Sequence, residues 1–215
     1  MRGIRLTTGL VFAVSALALA IGPACQRSHE HPEGEEHPAE KGEQEHPEGE
    51  EHPAEHPGAV AVADLGALGG SGVKGRVVFT AVEGGVKIEA DVTGLAPGQH
   101  GFHIHEWGDC SSADGKSAGG HFNPGGHPHA GPTDPEAHAG DLGNMTADAN
   151  GHAVLEITTN KFALGSGGGD VAGRSVIVHE KADDMVSQPT GAAGGRLACG
   201  VIAVEGGDTK PVLAP

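Results

Sequence analysis

Two stretches of the chain alternate between apolar and polar residues with the period of a β-strand. They are residues 73–79 (VKGRVVF) and residues 86–92 (VKIEADV). Alternation with period two puts apolar side chains on one face of a sheet, whereas a helix repeats about every 3.6 residues. Clusters of Gly, Pro, Asn and Asp separate the stretches, as turns between short strands do. The same signals predict further strands at residues 100–106, 142–148, 152–159, 174–180 and 198–205.

No window of the chain has the period of an amphipathic helix, which predicts an all-β fold. Seven or eight short strands in about 150 residues favour an antiparallel sandwich or barrel. Residues 108–140 interrupt the series without any strand pattern. A loop of that length inside a compact domain usually carries a functional site.

Histidine is unusually frequent, with 15 residues against 13 Lys plus Arg. His103 and His105 stand two apart in a predicted strand, so both imidazoles lie on the same face and can reach one ion. His179 ends another predicted strand, and an imidazole-rich set of this kind suits copper. Because histidine is so frequent here, an H-x-H pair alone is a weak signal.

The long loop supplies a second set of candidate ligands among its Gly and Pro residues. The set is His121, His129, His138 and Asp141. Three imidazoles and one carboxylate suit a tetrahedral zinc ion. His127, two residues before His129, is a competing zinc ligand.

Five segments of the chain, in this order and spacing, resemble the copper-zinc superoxide dismutases. They read GFHIHEWGDC, GGHFNPGGHPHAGP, HAGDLGN, VIVHEKADD and GGRLACGVI. The resemblance extends from Val73 to Val204 and implies a Greek-key antiparallel β-sandwich or barrel with long metal-binding loops. It implies copper and zinc as cofactors and superoxide as the substrate, disproportionated to oxygen and hydrogen peroxide. The family spacing favours His129 over His127 as a ligand.

The resemblance also assigns roles at the metal centre. The implied copper ligands are His103, His105, His121 and His179, and the implied zinc ligands are His121, His129, His138 and Asp141. By the same resemblance, His121 would bridge the two metals and take a proton for product when copper is reduced. The resemblance implies that Asp183 hydrogen-bonds to His103 and His129, and that Arg196 attracts and orients the superoxide anion.

Cys110 and Cys199 match the disulfide of the family, and His100 matches a structural histidine rather than a ligand. The chain departs from the better-known eukaryotic pattern in residues 180–195, a short segment whose only lysine is Lys181. An insertion near Cys110, together with the N-terminal acidic stretch at residues 25–58, resembles the bacterial periplasmic branch. That branch contains both monomers and dimers, so the chain is expected to be a monomer or a homodimer.

The N-terminus has the features of a signal peptide at residues 1–24. Arg2 and Arg5 precede an apolar run, and an acidic stretch follows it. Cys25 follows a small residue, as at a bacterial lipoprotein cleavage site, and it is the cysteine left over from the family disulfide. Ordinary signal-peptidase cleavage is the alternative. Both predict export, to the periplasm or to an outer-membrane anchor through Cys25.

Residues 25–58 are predicted to be an acidic arm, before a domain at residues 59–215 that resembles the dismutases. The sequence HPEGEEHPAE occurs twice in it, and residues 28–58 hold eleven Glu, one Lys and six His. With almost no apolar residues the arm is predicted to be disordered. It is either a solvated spacer or a collector of metal ions, and both roles are compatible. The net charge of −16 argues against nucleic acid as a partner.

Two other functions are alternatives to a dismutase. A non-catalytic copper/zinc-binding lipoprotein with a dismutase-like fold would bind the same ions, but loss of a copper ligand or of Arg196 is expected in such a domain. All of these residues are present. A structural protein of the envelope would leave the ligand spacing unexplained.

Overall fold

The structure is a computed structural model that describes residues 58–165 and 167–215. Within these residues the chain forms nine β-strands and one short 3-10 helix, Lys116–Ala118. The strands are β1 (Val60–Ala67), β2 (Lys74–Val82), β3 (Gly85–Thr93), β4 (Gly98–His105), β5 (Asp141–Ala147), β6 (Ala153–Thr159), β7 (Ser175–His179), β8 (Arg196–Val201) and β9 (Ala203–Val204). In this part of the chain no helix has the length and apolar character needed to cross a membrane.

All strand pairs are antiparallel and belong to a single sheet. The strand order is β5-β4-β7-β8-β1-β2-β3-β6, and β9 adds to β1. The sheet curls so that β5 approaches β6, which makes a nearly closed barrel. The predicted all-β, Greek-key class is therefore confirmed.

Each of the seven predicted strands corresponds to an observed one, with ends that differ by a few residues. Strand β1 was not predicted. Its inward residues are Ala61, Ala63 and Leu65, while Val60 and Val62 point outward. Because both faces begin with small apolar residues, the sequence shows no alternation there.

Strand β4 is the element that connects the core to the functional site. Phe102 and Ile104 point into the hydrophobic core of the barrel. His103 and His105 lie on the opposite face and are nevertheless completely buried. The long loop that follows β4 covers this outer face, which is why the loop and the histidines belong to one site.

The signal peptide, Cys25 and the arm up to residue 57 lie outside the described residues. Their predicted roles therefore stay predictions.

Candidate metal centre

Two neighbouring strands place three histidines side by side. His103 and His105 project from one face of β4, and β4 pairs with β7. His179 is the last residue of β7, so its ring reaches the same face. Nε2 of His105 lies 3.3 Å from Nε2 of His179. The strand ladder thus sets the relative positions of these imidazoles.

The long loop returns along the end of β4 and brings a fourth imidazole. The N–H of Glu106 donates to the carbonyl of Gly120 at 2.9 Å, and the N–H of Phe122 donates to the carbonyl of Ile104 at 2.8 Å. His121 lies between these two hydrogen bonds and is buried. Its ring centroid is 3.9 Å from that of His103.

A second cluster forms around the carboxylate of Asp141, the first residue of β5. Nδ1 of His121 lies 2.7 Å from its Oδ1. Nδ1 of His129 lies 3.0 Å from Oδ2, and Nδ1 of His138 lies 3.3 Å from Oδ1. The ligand atoms of a tetrahedral zinc site lie about 3.3 Å apart when the metal–ligand bonds are 2.0–2.1 Å. The spacing around Asp141 is therefore close to that of a zinc site.

The structure thus brings together every ligand that the resemblance implied, in two groups that share His121. The groups are His103, His105, His121, His179 and His121, His129, His138, Asp141. In each group, one ligand atom per residue lies within 4.8 Å of the others. All seven residues are buried.

The unpaired ring nitrogens are suited to metal ions. Within residues 58–165 and 167–215, the buried side-chain nitrogens without a hydrogen-bond partner are Nδ1 of His103, Nε2 of His121, and Nδ1 of His129, His138 and His179. Each belongs to one of the two groups. A buried polar atom left without a partner costs about 1–3 kcal/mol, so this concentration of unpaired ring nitrogens indicates donor atoms for metal ions.

Hydrogen bonds at the opposite ring nitrogens decide which atom faces the metal. Nε2 of His103 donates to Oδ2 of Asp183 at 2.8 Å, and Nε2 of His129 donates to Oδ1 of the same carboxylate at 2.9 Å. Nδ1 of His105 donates to the carbonyl of Gly119 at 3.1 Å. A neutral imidazole has one N–H, so each ring keeps a lone pair on the nitrogen that faces the cluster.

Burial favours the neutral form of four of the histidines, His103, His105, His138 and His179. It lowers the pKa of His103 from 6.5 to about 4, although the hydrogen bond with Asp183 works in the opposite direction. Burial also lowers the pKa values of His105 and His179 well below the ordinary value, and that of His138 in the same direction. Only a neutral imidazole has the lone pair that a metal ion needs.

The two aspartates stay ionised within the same site. Burial works against the charge of Asp183, but hydrogen bonds from His103, from the N–H of Met185 and from His129 lower its pKa to about 2. At Asp141 burial is likewise outweighed, by the hydrogen bond from His121 and by neighbouring histidines, so its pKa is lowered. Two carboxylates thus offset part of the charge that bound cations would bring.

Arg196 lies beside the group of four histidines. It begins β8 and is the register partner of His179 on β7. Its Nη1 donates to the carbonyl of Gly115 and its Nη2 to the carbonyl of Gly119, both at 2.6 Å. The loop thereby fixes the orientation of a half-buried cation, whose guanidinium remains charged at any physiological pH.

Residues 73–202 match the family model described as Copper/zinc superoxide dismutase (SODC). The chain belongs to this family. Members of the copper/zinc superoxide dismutase family bind copper and zinc, and the two histidine groups supply suitable donors for both ions. A crystal structure of the clock protein EA4 is similar, with 40% sequence identity and a TM-score of 0.63. That match covers 69% of this chain and 96% of the EA4 chain.

The other residues singled out in the sequence also have defined places. Cys110 and Cys199 form a disulfide, with Cα atoms 5.7 Å apart. Both ring nitrogens of buried His100 lie 2.8 Å from carbonyl oxygens, those of His179 and Ala96, so this histidine stands outside the metal groups. His127 is exposed, and only His129 of the competing pair belongs to a metal group.

Sequence reasoning missed the residues that hold the ligands through backbone contacts. Gly191 passes so close to Asp183 that a Cβ there would overlap the carboxylate and lie 2.7 Å from Nε2 of His129. Gln188 hydrogen-bonds to the backbone of His129 from 59 positions away. Gly191 has a positive φ, which glycine adopts more readily than other residues. No pattern in the sequence identifies either contact.

Proposed function

We propose that the chain catalyses the disproportionation of superoxide to oxygen and hydrogen peroxide in the cell envelope. Two superoxide anions and two protons are converted to one molecule of each product. Copper, when bound, supplies the one-electron chemistry, because it alternates between Cu(II) and Cu(I). Everything else in the reaction is the task of residues on this chain.

The donor atoms of each ligand group indicate which metal it would bind. His103, His105, His121 and His179 offer four imidazoles and no carboxylate, a set suited to copper. The set around Asp141 combines three imidazoles with one carboxylate and suits tetrahedral zinc. Asp183 lies between the sets and orients one ligand of each through the two oxygens of its carboxylate.

Two further residues act on the substrate. The fixed guanidinium of Arg196 attracts the superoxide anion and orients it, which a protein with a net charge of −16 needs locally. His121 would pass on a proton. Its Nδ1 faces Asp141 and its Nε2 is buried without a hydrogen-bond partner, so Nε2 is the atom that would carry a proton to product.

The observation that carries this proposal is the shared position of His121. One imidazole belongs to both groups of ligands, with its Nδ1 beside Asp141 and its Nε2 without a hydrogen-bond partner. A site that only stores metal would have no need for one ring shared by both groups. The coincidence of that ring with an oriented Arg196 favours catalysis.

The test is to load the purified chain with copper and zinc and to follow the decay of superoxide. We expect catalysis that disappears in the metal-free protein and in His103→Ala, which lacks a copper ligand. Full occupancy of both metals without catalysis contradicts the proposal, as does unchanged activity in His103→Ala.

We place the protein in the periplasm or at the outer membrane, with Cys25 as the lipid anchor. The basic N-terminus, the apolar run and the small residue before Cys25 support this location. Expression in a bacterium with labelled fatty acid should label the wild-type chain but not Cys25→Ala. If neither protein is labelled and both are recovered in the periplasmic fraction, the signal peptide is removed by ordinary cleavage and Cys25 is not lipidated.

The alternative function is a non-catalytic copper/zinc-binding lipoprotein. The observation that favours it is the similar protein EA4, whose name describes it as a clock protein. The superoxide assay distinguishes the two functions, because a metal-binding protein keeps its affinity without turnover.

A further inference from the structure

Three polar groups of His129 have hydrogen-bond partners, and the fourth, Nδ1, faces the zinc group. Nε2 donates to Asp183, and Nδ1 lies 3.0 Å from Asp141. The backbone N–H donates to Oε1 of Gln188 at 2.8 Å, and the backbone carbonyl accepts from Nε2 of Gln188 at 2.7 Å. A single side-chain amide therefore pairs with both backbone groups of a proposed zinc ligand.

This pairing replaces a strand partner that His129 lacks. His129 is buried in irregular backbone and follows Pro128, which has no N–H to donate. Backbone groups beside a buried side chain need hydrogen-bond partners. For His103 the ladder between β4 and β7 provides them. For His129 the amide of Gln188 provides both.

The turn that contains Gln188 is itself held firmly. Oδ1 of Asp184 accepts from the N–H groups of Val186 and Ser187, at 3.0 Å and 2.8 Å. The N–H of Gly191 donates to the carbonyl of Ser187 at 2.7 Å, and the N–H of Asp184 donates to the carbonyl of Gly191 at 2.9 Å. Gln188 therefore projects from a closed turn rather than from a free loop.

We propose that Gln188 is a positioning residue for zinc, which holds His129 at the distance where its ring can bind the ion. The inference rests on the proposed assignment of zinc to the group around Asp141. Gln188 lies in the sequence VSQP, outside the five segments that carry the family resemblance. It joins the segment between His179 and Arg196 to the zinc loop.

The chain offers a matched control at Asn123. Its side-chain amide makes the same two hydrogen bonds, at 2.8 Å and 3.0 Å, to the carbonyl and N–H of His127. His127 lies two residues before His129 and belongs to neither metal group. Removal of either amide thus loses one donated and one accepted hydrogen bond to the backbone of the long loop, but only Gln188 contacts a residue of a metal group.

The experiment measures the zinc dissociation constant of the full chain by competition with a chromophoric chelator. We expect Gln188→Ala to weaken zinc binding about 10- to 100-fold, the usual effect of losing a residue that orients a ligand. Asn123→Ala should stay within about threefold of the wild type. Gln188→Glu keeps the acceptor but loses the donor, so an intermediate loss is expected.

Co²⁺ bound in place of zinc gives a second measurement. If Gln188 only stabilised the fold, its removal would leave this measurement unchanged. The visible spectrum of Co²⁺ reports its ligands, and it should change in Gln188→Ala but not in Asn123→Ala. The metal-free melting temperatures of the two variants should be alike. Wild-type affinity and spectrum in Gln188→Ala, or equal losses in both variants, overturn the inference. A wild-type chain that binds no zinc overturns the metal centre itself and this inference with it.

Discussion

Arg196 donates a 2.6 Å hydrogen bond from Nη2 to the carbonyl oxygen of Gly119. The same oxygen accepts from Nδ1 of His105 at 3.1 Å. One loop carbonyl therefore orients both the cation that we propose attracts superoxide and a proposed copper ligand. The position of the guanidinium relative to the group of four histidines therefore depends on this loop as well as on the barrel.

Replacement of Arg196 should slow catalysis without loss of metal. In Arg196→Ala we expect the second-order rate with superoxide to fall about tenfold or more, because the local positive potential is lost. Copper content should not change, since Arg196 is not a ligand. Arg76→Ala is the matched control, because it removes the same charge from an exposed site on β2. An equal decrease in both variants would show that net charge alone matters.

Gly191→Ala should disrupt the metal centre. Its φ is +63°, and its Cβ would overlap Asp183 and crowd His129. Gly126 has nearly the same φ, +65°, but open space around it. Gly126→Ala therefore measures the backbone cost alone, about 1 kcal/mol. We expect a clearly larger loss of unfolding free energy in Gly191→Ala, together with weaker zinc binding, measured by urea unfolding and chelator competition.

These contacts show which parts of the molecule could be predicted from the sequence. Strands such as β3 and the pair His103 and His105 were predictable, because local periodicity determines which face a side chain occupies. The supports of the ligands were not. Gln188 and Gly191 act through backbone contacts between segments that are distant in sequence. A local sequence pattern does not predict which distant backbone group a side chain will contact.

Acid should destabilise the metal-free protein between pH 6.5 and about pH 4. Unfolded chain takes up a proton at His103 below pH 6.5, whereas burial keeps the folded imidazole neutral down to about pH 4. The free energy of unfolding therefore decreases as the pH is lowered, by on the order of 3 kcal/mol from His103 alone. His105 and His179 act in the same direction.

Urea unfolding of the metal-free protein across this pH range measures the effect. The variant His103→Leu lacks the group and should lose less stability over the same range. A free energy of unfolding that does not change with pH would contradict the account of buried, neutral ligands.

Loss of the disulfide should lower stability and loosen the loop that orients Arg196. Cys110 and Cys199 are 89 positions apart, and closing a loop of that size contributes up to about 4–5 kcal/mol in the chain-entropy model. Cys199 packs with Leu68 and Ala118 in a small cluster beside the barrel core. Urea unfolding of Cys110→Ser/Cys199→Ser should show the loss, while Cys25→Ser should not. Equal stability of the double variant and the wild type would contradict this role.

The most direct test of the proposed dismutase is a copper titration of the zinc-loaded chain with superoxide decay measured by pulse radiolysis. The account predicts that the catalytic rate rises in proportion to copper and levels off at one equivalent, when the group of His103, His105, His121 and His179 is filled. A full equivalent of copper bound to these histidines, with superoxide decaying no faster than in buffer, would contradict it.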